Sequence, residues 1–149
     1  MPDQPIHSVS VAGVVVDEAG RVLVIQRRDN DRWEPPGGIL ERDETFEEGV
    51  IREVLEETGV EVEVERLTGV YKNMTRGIVA LVYRCRPRTT DAAPTTESAA
   101  VDWIPANQVS DLMDLAYAIR IHDALDEGLA CRVHDGTHII ETDSNTRTG

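Results

Sequence analysis

Residues 38–60 read GILERDETFEEGVIREVLEETGV, and the fold and the chemistry of the chain are both decided there. From residue 46 to residue 58 the stretch holds no proline. Asp43, Glu44 and Thr45 offer caps ahead of it, and Gly59 suits the left-handed position after a last turn. These signals predict a helix over 45–58. At 100° per residue, Val50, Ile51, Val54 and Leu55 gather on one side while Glu53, Glu56 and Glu57 gather on another, with centres roughly 140° apart. One side is for packing, and the other carries three carboxylates.

Stability does not account for the second side. Glu53 stands three and four residues before Glu56 and Glu57, where like charges on a helix repel by a few tenths of a kcal/mol each. Carboxylates in a last turn also oppose the helix dipole, whose negative end lies there. Arg52 supplies one positive charge, but its spacing directs it toward Glu48 and leaves three acids to neutralise. A hard divalent cation meets the need, because Mg²⁺ or Mn²⁺ takes oxygen ligands and bridges to phosphate.

Gly38, five residues, Glu44, seven residues, Arg52-Glu53-Val54, one residue, Glu56-Glu57, one residue and Gly59-Val60 together resemble the Nudix box at each of its fixed positions. The resemblance implies a mixed sheet between helices, an α/β/α sandwich. The order of elements unaided says only α/β or α+β. It also implies a hydrolase that cuts a pyrophosphate linkage by metal-activated water, in a nucleoside diphosphate linked to another moiety or in a nucleoside triphosphate. A non-catalytic nucleotide sensor on the same fold is the alternative from another class.

Composition bounds the rest. The chain has 149 residues, suited to one domain with one core. With 15 Lys and Arg against 28 Asp and Glu, its formal charge is −13, which argues against a nucleic acid polymer or an anionic membrane as partner. Small phosphates are compatible, since a bound cation inverts the local field. Cys85 and Cys131 are too few for a disulfide framework and lack zinc spacing. The amino terminus has no basic-then-apolar leader pattern and no window approaches 18 apolar residues, so the expected location is cytoplasmic.

Outward from the box, residues 1–6 read as a loose arm, 7–141 as the domain and 142–149 as a disordered tail. Residues 8–16 and 21–27 are apolar and β-branched about a turn at 17–20, which predicts a hairpin. Trp33-Glu34-Pro35-Pro36-Gly37-Gly38 reads as a tight turn into the box. Residues 61–71 and 78–86 read as strands, the second of them central, and 87–96 as a loop whose length suggests mobility. A short strand follows over 97–105. Leu112, Leu115, Ile119, His122 and Leu125 recur at helical spacing, predicting one helix from 106 or 108 to 127, and 131–141 reads as a small hairpin about Asp135-Gly136.

For the site, the resemblance implies Glu53, Glu56 and Glu57 as metal ligands, with Gly37 and Gly38 shaping the place and Gly38 offering a carbonyl oxygen. Arg52 is implied to orient a box carboxylate. Glu44, more than two turns earlier, fixes the helix or a water. Glu97, at a loop edge six residues before Trp103, resembles the extra metal-binding or base carboxylate of some members. The expected catalytic set is thus Glu56, Glu57, Arg52 and Glu97. Arg27, Arg28 and Arg32 are placed to meet phosphates, and Trp33 or Tyr71 to stack on a base. The four histidines read as structural. Thr75 and Ile78 stand where the ADP-ribose and dinucleoside-polyphosphate branches carry Pro and Tyr, and Asn107 comes too early for the 8-oxo-dGTP branch, so the substrate within the class stays open. Such folds commonly pair, which makes a homodimer an expectation.

Overall fold

The computed structural model describes residues 3–141 and, as backbone, 146–148. Strands β1 (Ser8–Val15), β2 (Arg21–Arg27), β3 (Trp33–Glu34) and β4 (Gly37–Ile39) precede helix α1 (Phe46–Thr58). After it come β5 (Val62–Asn73), β6 (Ile78–Pro87) and β7 (Ser98–Pro105), then α2 (Val109–Leu112), α3 (Leu115–Leu125), β8 (Leu129–His134) and β9 (Thr146–Thr148). The larger sheet runs β4-β1-β6-β5-β8-β9 and the smaller β3-β2-β7. β1 pairs parallel with β6, and β5 parallel with β8, while the other pairings are antiparallel, so the sheet is mixed.

Alternation along β1 separates two cores. Val11 and Val15 point to a cluster with Val50 and Val54 of α1, whereas Ala12 and Val14 point to one with Ala118, Ile121 and Ala124 of α3. The expected sandwich is present, with α1 on one face and α2 and α3 on the other.

Thr45 closes α1 at its start. Its hydroxyl accepts from the Glu48 N–H at 3.2 Å and the Glu48 carboxylate accepts from the Thr45 N–H at 2.8 Å, a capping box. Gly59 ends it in the left-handed region at φ 76°. The packing side is narrower than the hydrophobicity suggests: Val50 and Val54 are fully buried, but Ile51 and Leu55 remain about two-fifths exposed at 39% and 43%. The helix is rolled toward its acids, so Glu53 and Glu57 are buried instead.

Three expected elements differ. The chain from 8 to 27 is not a hairpin: β1 and β2 share one bridge, Val16 to Val22, then part into different sheets. Both edges of β1 are already taken by β4 and β6, which leaves β2 to pair with β3 and β7. The single late helix is broken, because Met113 turns extended (φ −136°, ψ 161°) between α2 and α3. In α3 the buried residues are Ala116, Ala118, Arg120, Ile121, Asp123 and Ala124, while Leu115 is half exposed. Alanines and Ile121 make up the buried apolar face, with Ile119 and Leu125 at its margin and Leu115 outside it. Around Asp135-Gly136 the turn forms, but its return is a single bridge from His134 to Ile139, and β8 finds its long partner in β5.

Residues 1 and 2 of the expected arm, and 142–145 and 149 of the expected tail, lie outside the described residues; residues 146–148 of that tail pair with β8. Cys85 is buried, Cys131 exposed, and both are free thiols. Among the described residues no helix is long and apolar enough to cross a membrane.

Candidate active site

The last two turns of α1 lie beside β4 and the end of loop 87–97. One carboxylate oxygen each from Glu53, Glu56 and Glu97 fall within 4.8 Å of one another. Glu53 is buried while Glu56 and Glu97 open to solvent. Three hard oxygens so close repel one another unless a cation sits among them, and the set fits Mg²⁺ or Mn²⁺. Burial, joined by the charges of Glu56 and Glu97, raises the Glu53 carboxyl above its usual range despite the opposing Arg52. All three come from one chain, so the cluster needs no second copy.

Gly38 is built into this cluster. A Cβ there would lie 2.6 Å from Glu53 Oε2 and 2.7 Å from its Oε1, so only glycine leaves the carboxylate its position. Glu57 stands apart from the three. Its Oε1 accepts the Gly37 N–H at 2.7 Å, and burial, reinforced by Glu53, Glu34 and Glu97, pushes its carboxyl up to about 8. Of the acids expected to bind metal, the structure brings Glu53, Glu56 and Glu97 together and turns Glu57 toward the glycine strand.

Arg52 does not pair with Glu48, whose carboxylate is engaged in the cap. Its Nε and Nη2 donate to the two oxygens of Glu44 at 2.8 and 2.6 Å, and its Nη1 donates to Glu53 at 2.8 Å and Glu56 at 3.2 Å. Hydrogen bonding to Arg52 holds the Glu44 carboxyl down to about 2. Glu44 also accepts the Glu41 N–H at 2.9 Å, so the acid fixes the arginine and the arginine orients two of the clustered carboxylates.

The end of loop 87–97 is hydrogen-bonded to the end of α1. The final carbonyls of α1 lack partners within the helix. Thr95 Oγ1 donates to Glu56 O at 2.6 Å, Ser98 Oγ to Glu57 O at 2.7 Å and Ala93 N to Thr58 O at 3.0 Å. The Glu97 N–H in turn donates to Thr95 Oγ1 at 3.1 Å, which places Glu97 over the helix end. Thr95 and Ser98 were not legible as site residues; two hydroxyls flanking an acid at the end of a Pro/Thr loop were the available signal.

A cleft of about 340 Å³ runs from Gly37 and Gly38 toward Tyr117, Arg120 and His134. Arg27 and Arg32 line it, each already paired: Arg27 with Asp29 at 2.7 Å and Glu34 at 3.2 Å, Arg32 with Asp114 at 3.4 Å. Three expected substrate contacts lie elsewhere. Arg28 donates to the Thr95 and Thr96 carbonyls at 2.9 and 3.1 Å and so braces the Glu97 loop. Tyr71 is fully buried and its hydroxyl donates to Asp123 at 2.8 Å. Trp33 packs against the α3-side core. Burial removes Tyr71 as a stacking platform, and half-buried Trp33 lies outside the lining of the cleft.

His122 shares a 2.9 Å hydrogen bond with Ser110. His134 is buried at the end of the cleft, where burial and then the Arg120 charge lower its pKa to about 4. Nothing local marks Glu34, Arg120 and His134 as site residues, because they stand in a turn-like stretch, a helix and a hairpin.

A profile of the NUDIX domain matches residues 6–124. A MutT-like protein of Streptomyces ambofaciens is 62% identical over 117 residues, spanning 78% of this chain and 76% of that one. A putative 8-oxo-dGTP diphosphatase of Bacillus subtilis is 37% identical over 59 residues, 40% of each chain. The chain covers only 34% of a Xenopus laevis protein named nucleoside diphosphate-linked moiety X motif 6, with 41% identity over 73 residues. A crystal structure of a NUDIX hydrolase from Nitrosomonas europaea superposes with a TM-score of 0.75 at 23% identity, over 88% of this chain and 81% of that one, a likeness of fold.

Proposed function

The chain belongs to the NUDIX family of pyrophosphohydrolases, and from that premise we propose that it hydrolyses a pyrophosphate linkage in a nucleotide, with Mg²⁺ or Mn²⁺ held by Glu53, Glu56 and Glu97. The observation that carries this is the convergence of those carboxylates beside Gly38. The substrate is a nucleoside diphosphate linked to another moiety or a nucleoside triphosphate. Relatives named for 8-oxo-dGTP, for ADP-ribose and for nucleoside diphosphate-linked compounds support that range. A cation held by these carboxylates would neutralise phosphoryl oxygens and lower the pKa of a water so that it could give up a proton and attack at neutral pH.

The protein groups divide the remaining work. Arg52 aligns Glu53 and Glu56, and Glu44 holds Arg52 in place. Glu56 and Glu97, open to solvent, are the carboxylates able to take a proton from the attacking water. Glu57 fixes the Gly37 amide, and with it the strand along which the diphosphate lies. Arg27 and Arg32 face the cleft, where exchange of a carboxylate partner for a phosphate frees their charge for substrate. A site of action in the cytoplasm, where nucleotides and Mg²⁺ are at hand, goes with this reading. A nucleotide panel tested with Mg²⁺, Mn²⁺ and excess chelator, with products identified, decides it. Metal-dependent release of two phosphate-bearing products is expected, and binding without turnover would favour the sensor.

A further inference from the structure

Arg120 enters the sandwich from α3 with 8% of its surface exposed, and it lines the far end of the cleft. Its guanidinium carbon lies 4.7 Å from the centre of the Tyr117 ring and 5.1 Å from that of Tyr71. The rings answer its charge. They do not answer its N–H groups, and Nε has no hydrogen-bond partner among the described residues.

The nearest acceptor is compromised. Arg120 Nη2 lies 3.3 Å from His134 Nε2, yet the Gly136 N–H donates to His134 Nδ1 at 3.0 Å. A neutral imidazole whose Nδ1 lone pair is taken carries its hydrogen on Nε2, so two donors face each other there. Arg120 thus keeps Nε, and the Nη2 facing His134, without an acceptor among the described residues. Buried donors are rarely left so, since an unmet hydrogen bond is costly away from water. Glu34 lines the same cleft, its charge acts on Arg120, and among the described residues its Oε1 accepts from Arg27. Donor and acceptor thus line one cleft, which also reaches Gly37 and Gly38 beside the carboxylate cluster.

We infer that this end of the cleft receives the base of the nucleotide and reads a lactam edge, Arg120 donating to the keto oxygen and Glu34 accepting the adjacent ring N–H. The inference deepens the nucleotide reading above and rests on it. Hypoxanthine, guanine and uracil present keto oxygen beside N–H, whereas adenine and cytosine present an amino group beside a bare nitrogen, the reverse pattern. The cleft volume lies at the lower end of small-molecule sites, about 300–1,000 Å³.

The test is calorimetric titration of the whole chain with ITP and ATP, then with UTP and CTP, in excess chelator so that binding is read without turnover. ITP differs from ATP only at this edge. ITP and UTP are expected to bind at least about fivefold tighter than ATP and CTP, as one matched polar edge gives. A smaller ratio in either pair, or no measurable binding of any of the four, overturns the inference. Arg120→Met should bring both ratios close to one. Where that variant does not fold, Glu34→Gln serves, because the amide can present either polarity and should relax the choice. Discrimination in chelator with no turnover in Mg²⁺ would keep the inference and remove the hydrolytic reading.

Discussion

Arg52 and Glu44 are joined by two parallel hydrogen bonds, at 2.8 and 2.6 Å, although they stand eight residues apart on either side of the α1 cap. Paired forks of this kind fix orientation as well as charge. The arginine is then free to touch Glu53 and Glu56 with its third nitrogen alone. Glu44→Gln should fold normally and weaken apparent Mg²⁺ affinity by about 10–100-fold, the usual consequence of losing a group that orients a ligand. A Mg²⁺ titration of turnover checks it; unchanged half-saturation would detach Glu44 from the site.

Gly38→Ala should act on the metal and not on the fold. The added methyl meets the free end of the Glu53 side chain, which can turn away. Activity should fall at least about tenfold at limiting Mg²⁺ and recover in part at high Mg²⁺. Thermal melting should stay within a few degrees of wild type, on the order expected when less than 1 kcal/mol is lost. Gly37→Ala is the contrast, since its Cβ would press on Val11 O at 2.5 Å and on Ala12, and should lower melting instead.

Thr95→Val removes the hydroxyl that donates to Glu56 O and accepts from the Glu97 N–H. It should cost about tenfold in turnover, and adding Glu97→Gln should cost little more than Glu97→Gln alone, because the threonine acts through the glutamate. Full additivity of the two losses would show that the loop does not position Glu97.

His134 gives a pH prediction for stability. Burial and the neighbouring Arg120 lower its folded pKa to about 4, against an ordinary value of 6.5. A depressed folded pKa means that the unfolded chain takes the proton first. The contribution of His134 is therefore fully present above pH 6.5 and is lost as pH falls toward 4. His134→Gln should flatten the acid limb of a melting curve between those values; an identical slope in the variant would contradict the assignment.

The box gave away α1, its caps and its acids because those are local matters of spacing and propensity. The capping box of Thr45 and Glu48 even explains why Arg52 turns to Glu44. What stayed hidden depends on contacts far apart in the chain. The division of β1 and β2 between two sheets follows from β4 and β6 occupying both edges of β1, and no stretch of 8–27 carries that information. Arg120 and Asp123 carry no local sign of burial, since they fall outside the apolar stripe of Leu112, Leu115, Ile119 and Leu125 while Ala116, Ala118, Ile121 and Ala124 do the packing. Tyr71 and Trp33 read as stacking rings when their strands had no known facing. Glu97 could be picked out by its setting, but Thr95, Ser98 and Arg28, which hold it, emerge only when loop 87–97 meets the open carbonyls of α1.

The central claim is that Glu53, Glu56 and Glu97 form one metal-dependent hydrolytic site, and Glu56 is one of its two exposed members. Product release from a nucleotide panel in Mg²⁺, measured for wild type and for Glu56→Gln at matched folded concentration, tests it most directly. Wild type should release two phosphate-bearing products, and the variant should do so at least about 100-fold more slowly. Equal rates in the two proteins would contradict the account.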